Sequence, residues 1–200
     1  MSTKDLNNYA VIVLAAGSSS RLGQPKQLIQ INEVTLLNHT IQKVKRSCVN
    51  DIYIVLGASV QQITPTLESD SSIIMNKDWE LGMGKSIATA IDNIDTLNYD
   101  GVIIVLSDQV HLEAINIDNL IEVHKSESKG IVVSKYKNGQ GPPSFFSKKY
   151  FGDLLQLNDD NGAKPIVKAN YADVCFARFD NGHIDIDTPD DLEQFHVFDI

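Results

Sequence analysis

The residues best suited to chemistry sit in "LAAGSSSRLGQPK", residues 14–26, directly after the apolar run "YAVIV". A turn glycine, Gly17, is followed by three serines and then by two cations, Arg21 and Lys26. Exposed N–H groups in such a turn form a concavity for anions. Arginine grips a phosphate bidentately, and lysine serves as a point charge. Phosphate binding is one reading of the stretch; a solvated surface turn is the other. It is no Walker A loop, which needs GK[ST] five residues after its first glycine. Ser19 also stands where a GxGxxG turn needs its second glycine.

Two further stretches carry groups of the right type. "GMGKS", residues 82–86, contains GKS, but the first Walker A glycine would fall on Trp79. It reads as a turn entering a helix, with Ser86 near the N-terminus, where anions and acceptors are favoured. A plain helix start fits equally well. "IIVLSDQV" sets Asp108 just past a buried strand. A carboxylate there is either a cap or a ligand for Mg²⁺, which takes only one or two protein carboxylates when phosphates complete its shell.

"HIDIDTPDD" supplies Asp185, Asp187, Asp190 and Asp191. The last two suit the first turn of a helix, where the dipole favours negative charge. Asp185 and Asp187 share a strand face by the period of two, and only Asp187 lies close to the turn. His39, His111, His124, His183 and His196 lack metal-ligand spacing. "GSSSR" is not GxSxG, so covalent serine chemistry has little support.

The elements around these stretches are legible from periodicity. "AVIVLA" (10–15), "DIYIVLG" (51–57) and "GVIIVLS" (101–107) are short, β-branched and continuously apolar, as strands buried on both faces are. "LLNHTIQKVKRS" and "GKSIATAIDNI" between them have helical spacing at Leu36, Leu37, Ile41 and Val44, and at Ile87, Ala90, Ile91 and Ile94. This alternation predicts an α/β fold, a mostly parallel central sheet with helices on both faces. After Gly130, two short strands joined by a Gly/Pro turn are expected, then helices near 148–157 and 163–169, a strand in "YADVCFARF", and a last helix with Thr188 as N-cap and Pro189 at its first position. Ligands bind beyond the carboxyl ends of parallel strands. Polar motifs follow three strands here, which points to a site.

The bulk numbers limit the choices. A chain of 200 residues makes a single domain over 1–200 the default. A net charge of −9 argues against a surface for nucleic acid. Cys48 and Cys175 form no CxxC pair, which suits a reducing compartment. The N-terminus "MSTKDLNNYA" has no apolar h-region and no stretch approaches membrane-spanning length, so a cytoplasmic protein is expected.

"VLAAGSSSRLGQPKQLI" resembles the LAxGxSxRxGxxK signature of the MobA-like nucleotidyltransferases. "GMGKSI", "LSDQV", "NDDNGAKPIV" and "DIDTPDDL" follow in the order of the molybdenum cofactor cytidylyltransferase branch, and the double alanine of "LAAG" is similar to that branch. The resemblance implies a Rossmann-like nucleotidyltransferase fold and transfer of a cytidylyl group from CTP to molybdopterin, with pyrophosphate released. It implies that Gly17, Arg21 and Lys26 hold the triphosphate, that Ala15, Ala16, Gly84 and Ser86 face base and ribose, that Leu14 also belongs to the nucleotide site, and that Asp108 and Asp187 hold Mg²⁺. Arg21, Lys26 and Asp108 would carry the catalysis, and the segment after Gly139 would face the acceptor. Val110 and Pro142 depart from the family's usual proline and histidine. The alternatives are guanylyl or other nucleotidyl transfer to a different phosphorylated acceptor, or a non-catalytic chaperone that hands a bound cofactor to a molybdoenzyme.

Overall fold

The computed structural model describes residues 8–31, 33–67 and 72–198, with side chains as far as 193. The N-terminal segment read above therefore lies, through residue 7, outside the described residues. The strands are β1 (Tyr9–Ala15), β2 (Gln30–Ile31), β3 (Val34–Thr35), β4 (Asp51–Leu56), β5 (Ser72–Met75), β6 (Gly101–Leu106), β7 (Ile131–Tyr136), β8 (Gly139–Ser147) and β9 (Val174–Arg178). The helices are α1 (Leu36–Lys45), α2 (Val60–Ile63), α3 (Met83–Asn93), α4 (Ala114–Glu127), α5 (Phe151–Leu155), α6 (Lys164–Ala169) and α7 (Pro189–Phe198).

The main sheet runs β5-β4-β1-β6-β8-β7-β9. β8 is antiparallel to both of its neighbours, and every other pairing in this sheet is parallel. β1 is buried along its whole length, as its β-branched run requires. Val11 and Val13 pack with Leu37 and Ile41 of α1 and with Ile117 and Leu120 of α4. Ala10 and Ile12 pack with Ile87 and Ile91 of α3. Alternation along one strand thus fills two cores, one under each helical layer. Truncating the fully buried Ile12 to alanine costs about 2–5 kcal/mol through lost contacts and the cavity left behind.

Three expectations need correction. "GQGPPS" is no turn: the chain reverses at Lys137 and Asn138, and Gly139–Ser147 forms one long strand. Proline has no N–H for a sheet ladder and sits inside a strand only at a bulge. The pairing accordingly jumps from Val133–Ser144 to Ser134–Gly141, leaving Pro142 and Pro143 out of register, with a cis bond between them. Side chains satisfy the freed carbonyls: Ser134 Oγ donates to Pro143 O at 2.7 Å. Second, Asp185 and Asp187 are not on a strand, because residues 184–187 are irregular. Third, the helix expected at 148–157 is a 3₁₀ turn over Lys148–Tyr150 followed by the short α5.

Thr188 caps α7 as expected. Its Oγ1 accepts from the Asp191 amide at 3.2 Å, and Asp191 Oδ2 accepts in return from the Thr188 amide at 2.8 Å. Asp191 Oδ2 also accepts from the Asp187 amide at 3.1 Å, so the cap fixes the backbone that carries Asp187. Among the described residues no helix is long and apolar enough to cross a membrane.

Candidate active site

The loop after β1 leaves the sheet at its carboxyl edge and is fastened from below. Gln27 is fully buried, and its Nε2 donates to Ala15 O at 2.9 Å and Gly17 O at 3.1 Å. Ser19, in the left-handed region at φ 56°, accepts on its carbonyl from the Leu22 and Gly23 amides. Its hydroxyl accepts from the Lys26 amide at 3.0 Å. Leu22 then buries itself against Ile29, Leu36, Val110 and Ile186. In contrast, none of the amides of residues 17–21 donates to a protein acceptor among the described residues. Five successive donors left open on a fastened loop form an anion cradle. A Cβ added at Gly17 would meet nothing within 4 Å, and its backbone needs no positive φ. The fold does not demand glycine there, whereas close approach of a ligand to the backbone does.

The two cations curl back from this loop onto carboxylates. Lys26 Nζ lies 2.5 Å from Asp108 Oδ2 and 2.8 Å from Asp187 Oδ1. Arg21 Nη2 lies 2.8 Å from Asp187 Oδ2. Burial by itself would lower the Lys26 pKa, but Asp108 and then Asp187 outweigh it and hold the ammonium above its ordinary value. Asp185 stands close by, and its carboxyl is raised by burial and by the charges of Asp108 and Asp187. Asp108 is buried, and its Oδ1 has no hydrogen-bond partner among the described residues. An orphaned anionic oxygen beside a second carboxylate suits a hard divalent cation, so Asp108 and Asp187 fit Mg²⁺ as a pair.

Between the loop and α3 lies a cleft of about 410 Å³. Leu14, Ala15, Ala16, Gly17, Lys26, Ser86 and Asp108 all line it, so most of the residues expected from sequence meet in one place. Arg21 and Asp187 stand at its edge through their ion pairs. Ser86 Oγ accepts from Asn76 Nδ2 at 3.0 Å, which leaves its proton to donate into the cleft. Gly84 is the exception. Its amide donates to Asp159 O at 2.7 Å, and a Cβ there would also meet Asp159 O at 2.7 Å, so this glycine lets the loop at 159 pack onto α3.

Three residues of the site were not singled out from sequence. Gln27 holds the loop from beneath. Trp79 gives the cleft an aromatic wall that rests on Gly57, where a Cβ would meet its side chain at 2.5 Å. Gln109 is buried, and its Nε2 reaches Pro142 O at 2.7 Å and Gly182 O at 2.8 Å, tying the end of β6 to the bulge of β8. The one sequence signal for Gln109 is its place directly after Asp108.

A doubly wound, mostly parallel sheet with an anion cradle beyond its first strand defines the class: a Rossmann-like α/β fold of the nucleotidyltransferase type. Residues 11–174 match the MobA-like NTP transferase domain, and the chain belongs to that family. It is 25% identical over 193 residues to the purine catabolism protein PucB of Bacillus subtilis, covering 91% of this chain and 93% of that one. The crystal structure of a homologue of Mycobacterium tuberculosis Rv0371c, from Mycobacterium sp. strain JC1, superposes with a TM-score of 0.84 at 31% identity, covering 94% of this chain and 95% of that one. Rv0371c itself in complex with manganese superposes at 0.79 with 25% identity, covering 94% and 97%. The protein is a nucleotidyltransferase of the MobA-like family.

Proposed function

We propose that this protein is a Mg²⁺-dependent cytidylyltransferase that joins CTP to the terminal phosphate of molybdopterin and releases pyrophosphate in the cytoplasm. The observation that carries the reading is the pairing of an open amide cradle at residues 17–21 with Lys26, held on Asp108 and Asp187 at its rim. The "LAAG" stretch supports CTP over GTP through its likeness to the cytidylyl branch. Manganese in the mycobacterial relative supports a divalent ion.

The triphosphate lies along the amides of 17–21, and Arg21 and Lys26 turn from their carboxylates toward its oxygens. Base and ribose occupy the cleft between Ala16 and Trp79, within reach of Ser86. The acceptor's phosphate oxygen bonds to the α-phosphorus as the bond to the bridging oxygen of pyrophosphate breaks and that oxygen takes the electron pair. An ionised phosphate needs no general base, so positioning and charge neutralisation suffice. Mg²⁺ on Asp108 and Asp187 supplies further neutralisation of the phosphates.

Calorimetric titration with CTP, GTP and UTP, with and without Mg²⁺, tests the reading. Mg²⁺-linked preference for CTP is expected. Preference for GTP moves the protein to guanylyl transfer. Binding without pyrophosphate release on adding acceptor makes it a carrier.

A further inference from the structure

Asn76 stands one residue beyond β5 and is buried, and its backbone amide donates to Leu56 O at 2.8 Å. Its side chain reaches two parts of the cleft wall. Oδ1 accepts from the Asp78 amide at 3.0 Å and from the Thr89 hydroxyl at 3.4 Å, which fixes the turn leading into Trp79. Nδ2 donates to Ser86 Oγ at 3.0 Å on α3. The side-chain amide has one workable orientation, because turning it over would set its NH₂ against the Asp78 N–H.

A serine hydroxyl has one proton and two lone pairs. Nδ2 occupies one lone pair of Ser86, and among the described residues no acceptor takes the proton. Ser86 is buried and lines the cleft, so that proton points at whatever fills the cleft. We propose that Asn76 is a positioning residue that sets the polarity of Ser86, turning its hydroxyl into a donor that selects a nucleotide presenting an acceptor atom of base or ribose at that point. The inference rests on the nucleotidyl-transfer reading and adds to it the polarity of one contact and the residue that imposes it. A ligand with an N–H there sets two donors face to face, and the buried hydroxyl proton goes unpaired at the cost of its desolvation. Asn76 does not line the cleft and acts through Ser86.

The test is calorimetric titration of the full chain with CTP and with inorganic tripolyphosphate, each with Mg²⁺, across wild type, Asn76→Asp, Ser86→Ala and the double variant. Asn76→Asp keeps an acceptor for Asp78 and Thr89 but replaces the donor by an oxygen that takes the Ser86 proton. The hydroxyl then turns only a lone pair to the cleft. CTP should bind at least tenfold more weakly to this variant, and severalfold more weakly to Ser86→Ala. Adding Asn76→Asp to Ser86→Ala should cost less than a further twofold, since no hydroxyl is left to turn. Tripolyphosphate, which has neither base nor ribose, should bind all of these proteins alike. Equal loss of both ligands in Asn76→Asp is a plain charge effect, and additive losses in the double variant are a plain structural one; either overturns the proposal. Ser86→Ala removes one oxygen from a helix and raises helix propensity, so it keeps the test decisive if Asn76→Asp does not fold. A loss confined to CTP then supports the proposal, and wild-type affinity overturns it. A wild type that binds CTP no more tightly than tripolyphosphate overturns the nucleotide reading itself, whereas a CTP preference unmoved by every variant overturns only the part given to Asn76.

Discussion

Lys26 Nζ stands 2.5 Å from Asp108 Oδ2 across 82 residues of chain, so one ion pair holds the loop after β1 to the end of β6. The lysine side chain is 16% exposed and the aspartate 9%, so water screens the pair weakly. The ammonium thus occupies the position between Asp108 and Asp187 that a divalent cation suits. Under the proposed function, a triphosphate with its ion would exchange the partners: Arg21 and Lys26 would take the phosphates, and Asp108 and Asp187 would hold the metal. Each carboxylate would keep a cationic partner in both states, so the buried Asp108 would never be left alone.

Removing the cation exposes its part in binding. Lys26→Ala should weaken CTP binding by about 1.5–3 kcal/mol, the size of a charge-assisted contact, and lower turnover with it. Isothermal titration measures the first directly. An unchanged affinity would take Lys26 out of the phosphate site.

The same pair sets a pH dependence. The folded pKa of Lys26 is raised above 10.5, so its stabilisation is complete below that value and fades only as pH climbs through the higher folded one. The difference in melting temperature between wild type and Lys26→Met should therefore stay flat from about pH 7 to 9 and shrink above about pH 10.5. A difference already falling at pH 8 would mean that the ammonium is not held by its carboxylates.

Asp108→Asn separates an enzyme from a carrier. It should abolish pyrophosphate release and weaken Mn²⁺ binding, read by the paramagnetic signal of the free ion, while nucleotide without metal still binds. Retained pyrophosphate release would remove Asp108 from the reaction.

Much of this was legible because it is local. Continuous β-branched runs gave β1, β4 and β6 to within two residues, since burial on both faces leaves no room for polar alternation. Thr188 and Pro189 announced α7 by capping chemistry alone. What sequence hid was long-range. Nothing near Lys26 says that its partners lie 82 and 161 residues away. Gln27 and Gln109 look like ordinary polar residues until the fold buries them against backbone carbonyls. The prolines of β8 read as a turn because a bulge that tolerates them depends on side chains from other strands. Gly84 was expected to face base and ribose, and its neighbour in the fold is a loop 75 residues downstream, at Asp159.

Cys48 offers a check away from the site. It is exposed, yet burial of the sulfur and then Asp118 push its thiol from 9.0 up to about 11. Roughly a thousandth is thiolate at pH 8, so alkylation by iodoacetamide should be slow there and rise tenfold per pH unit. Asp118→Asn should lower the pKa and speed the reaction, and Cys48→Ser should leave turnover intact. Fast alkylation of wild type at pH 7 would contradict the assignment.

Gln109 joins the end of β6, beside the cleft, to the bulge of β8. Its Nε2 supports Pro142 O at 2.7 Å and Gly182 O at 2.8 Å, and Tyr136 also donates its hydroxyl proton to Pro142 O. Pro142 lines a second cavity of about 570 Å³ next to the cleft, while the neighbouring Asp108 lines the cleft itself. Replacing the amide by a side chain of like shape, Gln109→Met, leaves Gly182 O without that donor and loosens the bulge. A loss of about 1–3 kcal/mol in unfolding free energy is expected from the buried carbonyl. If the residue positions the acceptor wall, KM for the acceptor rises while CTP affinity stays near wild type. A purely structural residue would lower stability and leave both constants alone. Equal losses in both would place its action on Asp108, on the donor side of the junction.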